Sequence, residues 1–296
     1  MKELLRRKIQ LHYYVFKAYI VGFLKALIGD ITWNSYFTII EKQKLTNRLR
    51  LFKTIYFNFR TMPACLAWKT PVWVYGKIKF YDLSGKVLPI EGKTVHPNML
   101  TIGNMDPVRS DGFVSSVSVS GSVYYGEKVE LRNGLKMNVS GTLILEDHTF
   151  VSDNGTFIIV DQCRIREKTR CAFNVTFMDT DIHYMIDANT GDIRNNHKPI
   201  EIGVGNWIGG NSLIKKGTKT PDYLILAGPY ACLTKDYTKD IPEYACMGGC
   251  PAKLIKVGLR RINSSQNEHM LAEYFENNSS ILYHFDGDID AFCSPN

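Results

Sequence analysis

The residues best equipped for chemistry fall in one short stretch, Asp179-Thr-Asp-Ile-His183, where an imidazole follows two carboxylates. Imidazole titrates near neutrality, so it can accept a proton from a reacting group and return it, and a neighbouring carboxylate can hold the ring in one orientation. His197 follows a little later and His148 precedes, and residue type alone singles out none of the seven histidines. Cys246 and Cys250 flank Met-Gly-Gly and would make half a zinc site. No second Cys or His pair stands at ligand spacing, so no metal is expected.

The elements that must position these groups are β-strands. From about Pro71, short runs of Val, Ile, Phe and Tyr alternate with Gly, Asn and Asp, and no amphipathic helix is expected until after Arg261. A period of six runs through the region. From Val139 it passes Leu145, Val151, Phe157, Cys163, Thr169 and Val175, then stops at Asp181. It restarts at Ile202 and continues through Ile208, Ile214, Thr220, Leu226 and Cys232, so that eleven of thirteen positions are apolar. An inward residue every six positions, followed by glycine at Ile202-Gly203 and Ile208-Gly209, suits a three-sided solenoid with short flat faces and tight corners. Three hexads predict a coil of 18 residues. The break between Asp181 and Ile202 leaves about 15 residues to be extruded as a loop from one corner, and Asp179 to His183 opens that loop.

The chain of 296 residues is 45% hydrophobic and 22% charged, which describes a globular protein with ample core and excludes disorder, collagen and a disulfide mini-scaffold. Its net charge of +7 is unevenly spread. Residues 1–60 carry 12 basic and 3 acidic side chains, and the stretch after Arg261 carries 6 acidic and no basic ones. Such polarity points to a docking segment and not to uniform nucleic-acid affinity, so no nucleic-acid partner is expected. Ile9, Tyr13, Phe16, Ile20, Phe23 and Leu27 recur at steps of four and three, on one stripe of a helix too polar to span a membrane. That helix packs on its own protein or a sister subunit, or lies on an anionic membrane surface with the second basic stretch, Lys42 to Arg60. Seven cysteines without framework spacing suit a reducing cytosol, and the Asn-x-Ser/Thr triplets at Asn138, Asn154, Asn174 and Asn278 read as turns.

Three longer stretches carry a more specific signal. They are Ile200-Glu-Ile-Gly-Val-Gly-Asn-Trp-Ile-Gly-Gly-Asn-Ser-Leu-Ile-Lys-Lys-Gly217, Leu226-Ala-Gly-Pro-Tyr-Ala-Cys-Leu-Thr-Lys-Asp236 and Gly248-Gly-Cys-Pro-Ala-Lys253. Their order and separation resemble the hexapeptide-repeat acyltransferases, in the branch of galactoside and maltose acetyltransferases and of polysaccharide O-acetyltransferases. The resemblance covers about Val139 to Val257. It implies an all-β fold, a left-handed parallel β-helix with an α-helical N-terminal extension and a short C-terminal helix or tail. The expected organisation is an extension over 1–62, irregular first coils over 63–138, the repeat domain over 139–262 and an acidic tail over 263–296.

The same resemblance implies acetyl transfer from acetyl-CoA to a saccharide hydroxyl in a homotrimer whose sites lie between subunits, in the cytoplasm or at the inner face of its membrane. His183 matches the family's general base, and Asp179 or Asp181 would orient it. Trp207, Gly210 and Ala227 correspond to the donor groove, and Thr234, Lys235, Lys253 and Lys256 to its polar and phosphate contacts. Three departures stand out: Tyr230 replaces a usual serine, Cys250 a usual asparagine, and Thr218 to Tyr223 lack the usual Ile-Gly-Asp. An N-acyltransferase of an amino sugar shares the pattern, as does a β-helix that has lost catalysis and serves as a scaffold.

Overall fold

The computed structural model describes residues 1–10, 13, 49–104 and 113–294. From Val72 onward the chain winds as a three-sided solenoid. Its strands stack into sheets of nine, seven and five members, and every pairing but the last is parallel. Inward residues of the three sheets meet in one continuous column that includes Ile102, Val117, Val139, Phe157, Phe177, Ile208 and Leu226. The rings of Phe157 and Phe177, from successive coils, stack with centroids 5.1 Å apart. Burying each such side chain contributes roughly 1.5–3 kcal/mol, which makes the column the main source of stability.

The coil is longer than the six-residue period implies. Phe157 pairs with Met137 below and Phe177 above, and Cys163 with Leu143, so a coil between Val117 and Phe177 takes twenty residues and not eighteen, while the first coils are longer, with Val72 paired to Leu100 and Leu100 to Val129. All thirteen hexad positions are nevertheless buried. A strand of four residues points two side chains inward, two positions apart. A step that falls two residues short per coil therefore moves from one inward position to the other. Val139 has Ile159 as its true equivalent, while the period arrives at Phe157. Eighteen-residue spacing does hold above the insertion, where Ile208 pairs with Leu226.

Both ends of the stack are closed. Helix α1 (Leu51–Thr61) covers the first strand of the nine-stranded sheet, Val72–Val74. The Asn58 amide donates to the Val72 carbonyl at 2.7 Å and accepts from the Val72 N–H at 3.1 Å, while Thr54 Oγ1 accepts from the Val74 N–H at 3.0 Å. Side chains thus satisfy an edge that would otherwise recruit another strand. At the other end Lys253–Val257 lies antiparallel on Ala245–Gly248. Beyond it come α2 (Ser265–Asn277), capped by Ser264 Oγ, and α3 (Ile289–Cys293).

At the N-terminus residues 2–10 and 13 are helical, with Leu4 buried beside Leu49, Trp73 and Tyr75 and with Ile9 and Tyr13 exposed. Phe16, Ile20, Phe23 and Leu27 of the stripe lie outside the described residues. No helix among the described residues is long and apolar enough to cross a membrane. Asn154 and Asn174 occupy corners with φ of 60° and 57°, as turns require, but Asn138 lies within the strand Lys136–Val139.

Candidate functional site

Between Met178 and Ile200 the chain leaves the solenoid and returns as a two-legged finger. Thr180 bridges His197 near its base and Ile186 bridges Ile193 farther out, both antiparallel. At the tip Asp187 accepts from the Asn189 N–H, and the Gly191 N–H returns to the Asp187 carbonyl.

Asp179 lets the chain leave. In lower coils two corner amides share one carbonyl of the coil above: those of Ser120 and Gly121 donate to Val139, and those of Ser140 and Gly141 to Ile159. At the next corner the carboxylate of Asp179 accepts from Val160 and Asp161 at 2.9 and 2.8 Å instead. Its backbone carbonyl is thereby freed to accept from the Lys198 N–H at 3.0 Å, on the returning leg. Asp179 is fully buried, and desolvation pushes its pKa up against the pull of the two amides. Asp181 faces lysines. Its carboxylate meets Lys216 at 2.6 Å and Lys215 at 3.5 Å, and the hydrogen bond from Lys216 holds its pKa down.

Neither carboxylate touches His183. The sequence offers Asp179 or Asp181 as its orienting partner, but the first is spent on the corner amides and the second on two lysines. His183 lies exposed on the outgoing leg, and among the described residues its ring has no hydrogen-bond partner. Its N–H bonds to the Asp181 carbonyl at 2.7 Å across Ile182, which sits at φ 66°. A β-branched residue at positive φ is strained. The turn is held by Thr180 Oγ1, which accepts from the Ile182 N–H, and by Asn196 Nδ2, which donates to the Ile182 carbonyl. His183 borders a cleft of about 300 Å³ with Asp181, Met185, Ile186, Arg194 and Lys216.

Within the finger it is His197 that meets a carboxylate, its Nδ1 lying 3.1 Å from Asp161 Oδ2. Asp161 occupies a column that is glycine in every lower coil. A Cβ on Gly85, Gly121 or Gly141 would come within about 2.1–2.2 Å of a carbonyl oxygen in the coil above. Above Asp161 the chain has departed into the finger, which leaves space for a side chain. The sequence reading missed Asp161. A Gly-Gly-Asp step at twenty-residue spacing, Gly121-Gly141-Asp161, would have flagged it once the coil length was known.

The donor-groove residues stand at another edge. Gly209 and Gly210 turn the corner from the nine-stranded to the seven-stranded sheet, with Ala227 and Gly228 above them. A Cβ on Gly209 would lie 2.4 Å from the Gly228 nitrogen, so this corner requires a residue without a side chain. Trp207 is partly exposed beside it. Thr234 and Lys235 follow the strand Cys232–Leu233, where Lys235 pairs with Asp240 at 3.2 Å, and Lys253 and Lys256 sit exposed on the closing strand. The finger leaves from the opposite edge of the seven-stranded sheet, so one chain alone does not bring His183 to the donor corner. His148 is an exposed corner residue with φ 58°. Among the described residues no three His, Cys, Asp or Glu side chains cluster as metal ligands.

No protein-family model matches the chain. Among solved structures, a hexapeptide-repeat acetyltransferase of Vibrio cholerae O1 biovar eltor complexed with acetyl coenzyme A is similar over 45% of this chain and 70% of its own, at 21% identity and TM-score 0.38. A polySia-specific acetyltransferase matches over 71% and 95%, at 16% identity and TM-score 0.47. An N-acyltransferase of Bacillus cereus matches over 70% and 89%, at 11% identity and TM-score 0.38. The neighbours are acyl-transferring enzymes.

Proposed function

We propose that the protein is a CoA-dependent O-acyltransferase that moves an acetyl group from acetyl-CoA to a saccharide hydroxyl, with His183 as the general base. The observation that carries this reading is the finger. It interrupts the solenoid at one corner, and through a strained turn it holds beside a cleft an imidazole that is unpaired among the described residues. The three sequence stretches that resemble the acyltransferases follow it, on the coils above.

In the proposed reaction the His183 ring takes the acceptor's hydroxyl proton as its oxygen attacks the thioester carbonyl. The tetrahedral intermediate collapses, the C–S bond breaks, and the departing thiolate receives the proton from the imidazolium. No covalent enzyme intermediate is needed. Gly210 and Ala227 would leave room for the extended donor, and Thr234, Lys235, Lys253 and Lys256 would face its polar and phosphate groups. Because finger and donor corner stand at different edges of one prism, the site would be completed between protomers of a homotrimer.

His197 is the second candidate for the base, since its ring and not that of His183 has an orienting carboxylate. The exposed Ile9 and Tyr13, beside Arg6, Arg7 and Lys8, support peripheral contact with an anionic membrane from the cytoplasmic side. The experiment that tests the function is thiol release from acetyl-CoA with a panel of mono- and oligosaccharides. Release that depends on a saccharide lacking an amine is expected. Release with amino sugars alone would make the protein an N-acyltransferase, and none with any acceptor would favour a scaffold.

A further inference from the structure

The outer face of the nine-stranded sheet carries a charged cluster that acyl transfer as described does not use. Glu130, Phe150, Arg170 and Trp207 are register partners on successive coils, about 4.8 Å apart. The Arg132 and Arg170 guanidinium carbons lie 4.9 and 4.4 Å from the Phe150 ring centroid. Arg261, from the chain beyond the closing strand, reaches back to within 5.3 Å of the Trp207 ring. Aromatic contact steadies a guanidinium and leaves its N–H donors available for a bidentate acceptor.

Among the described residues the charges on this face are not balanced. Arg132 has Glu130 at 3.1 Å, and the neighbouring Arg260 and Arg166 pair with Asp290 and Asp222. Among the described residues Arg170 and Arg261 have no carboxylate within ion-pair distance. Arg261 is half-buried, and its pKa is held down by desolvation and then by the charge of Arg170, against a smaller opposing effect of Glu268. Two neighbouring cations without a counterion among the described residues, one of them partly withdrawn from water, favour the arrival of an anion with two oxygens to offer.

We propose that Arg170 and Arg261, seated on Phe150 and Trp207, bind the carboxylate of an acidic saccharide, so that the acceptor is a glycan containing sugar acids. This rests on the reading of the protein as a saccharide acyltransferase. The donor's phosphates are assigned to Thr234, Lys235, Lys253 and Lys256, on coils that follow Trp207. Arg170 lies on the coil before it, away from those lysines.

The test is equilibrium binding to the full-length protein at low salt. The probes are trigalacturonate and tri-N-acetylneuraminate against neutral maltotriose, and CoA against dephospho-CoA. At least one acidic trisaccharide binds, maltotriose does not, and added salt weakens the binding. Arg170→Gln or Arg261→Gln weakens it about 10-fold or more, as expected for loss of a charge-assisted bond. CoA affinity is unchanged in both variants. Arg→Lys variants, which keep charge and lose the fork, fall between and serve if a glutamine variant does not fold.

Neutral and acidic sugars binding alike, or acidic binding that survives both glutamine changes together, overturns the proposal. So does a loss of affinity seen with CoA and absent with dephospho-CoA, which would give the arginines to the donor's 3′-phosphate. Acidic binding through the arginines without thiol release for any saccharide would sink the acyltransfer reading and leave the anion site standing.

Discussion

Directly below the finger the solenoid is regular, and above it the coils vary. From Val117 to Phe177 each coil repeats at twenty residues, with Val117, Met137, Phe157 and Phe177 in register. Above it Ile208 and Leu226 are eighteen apart, Ile214 and Leu233 nineteen, and Leu226 and Met247 twenty-one. Every donor-groove candidate lies in the variable part and the candidate base in the finger between the two. The lower coils act as a rigid post, because uniform coils bury the most apolar surface per residue and satisfy their corner amides in the same way each time. Variation begins where Asp179 replaces a carbonyl with a carboxylate and releases the chain.

This division is open to attack from either side. Removing the Phe157 ring, which stacks on Phe177 in the post, should have the largest effect on stability, a loss of about 3–5 kcal/mol in Phe157→Ala. Thermal or denaturant unfolding measures it, and a loss under 1 kcal/mol would mean that the column is not the main support. Asp179→Ala should cost less, about 1–3 kcal/mol in total, because the two amides it leaves without an acceptor are only partly buried and water can reach them. Its particular signature is faster hydrogen exchange at Val160 and Asp161 with little change in the lower coils.

The smallest effect concerns pH. Lys216 and Lys215 hold the Asp181 carboxyl below its ordinary value, so the pair's contribution is complete above that value of 3.8 and is lost as pH falls through the lower folded value. Pepsin should cut the finger faster as pH drops below 3.8. In Asp181→Asn the cutting should lose most of that dependence. A dependence that persists unchanged would place the titrating group elsewhere.

Much of this was legible in the sequence, and the failures have physical causes. The six-residue period reported inward residues correctly because inwardness recurs every two positions along a strand. For the same reason it could not report the coil length, since an eighteen-residue step and a twenty-residue step both land on buried side chains. The site of the finger was visible as the register break at Asp181, and the motifs around Trp207, Thr234 and Lys253 marked the coils above it. The partners of the two aspartates were not visible, because corner amides and lysines from the next coil meet them only after stacking. Asp161 was hidden by the wrong coil length, which concealed that it interrupts a glycine column.

The most direct test of the central claim sets His183→Ala beside His197→Ala in the thiol-release assay, with CoA binding and oligomer size measured on the same samples. If His183 is the general base, His183→Ala lowers turnover by about 10²–10⁴-fold while donor binding and assembly are kept. His197→Ala, at the foot of the finger, should reduce turnover less. Full turnover in His183→Ala, or the larger loss in His197→Ala, would contradict that role.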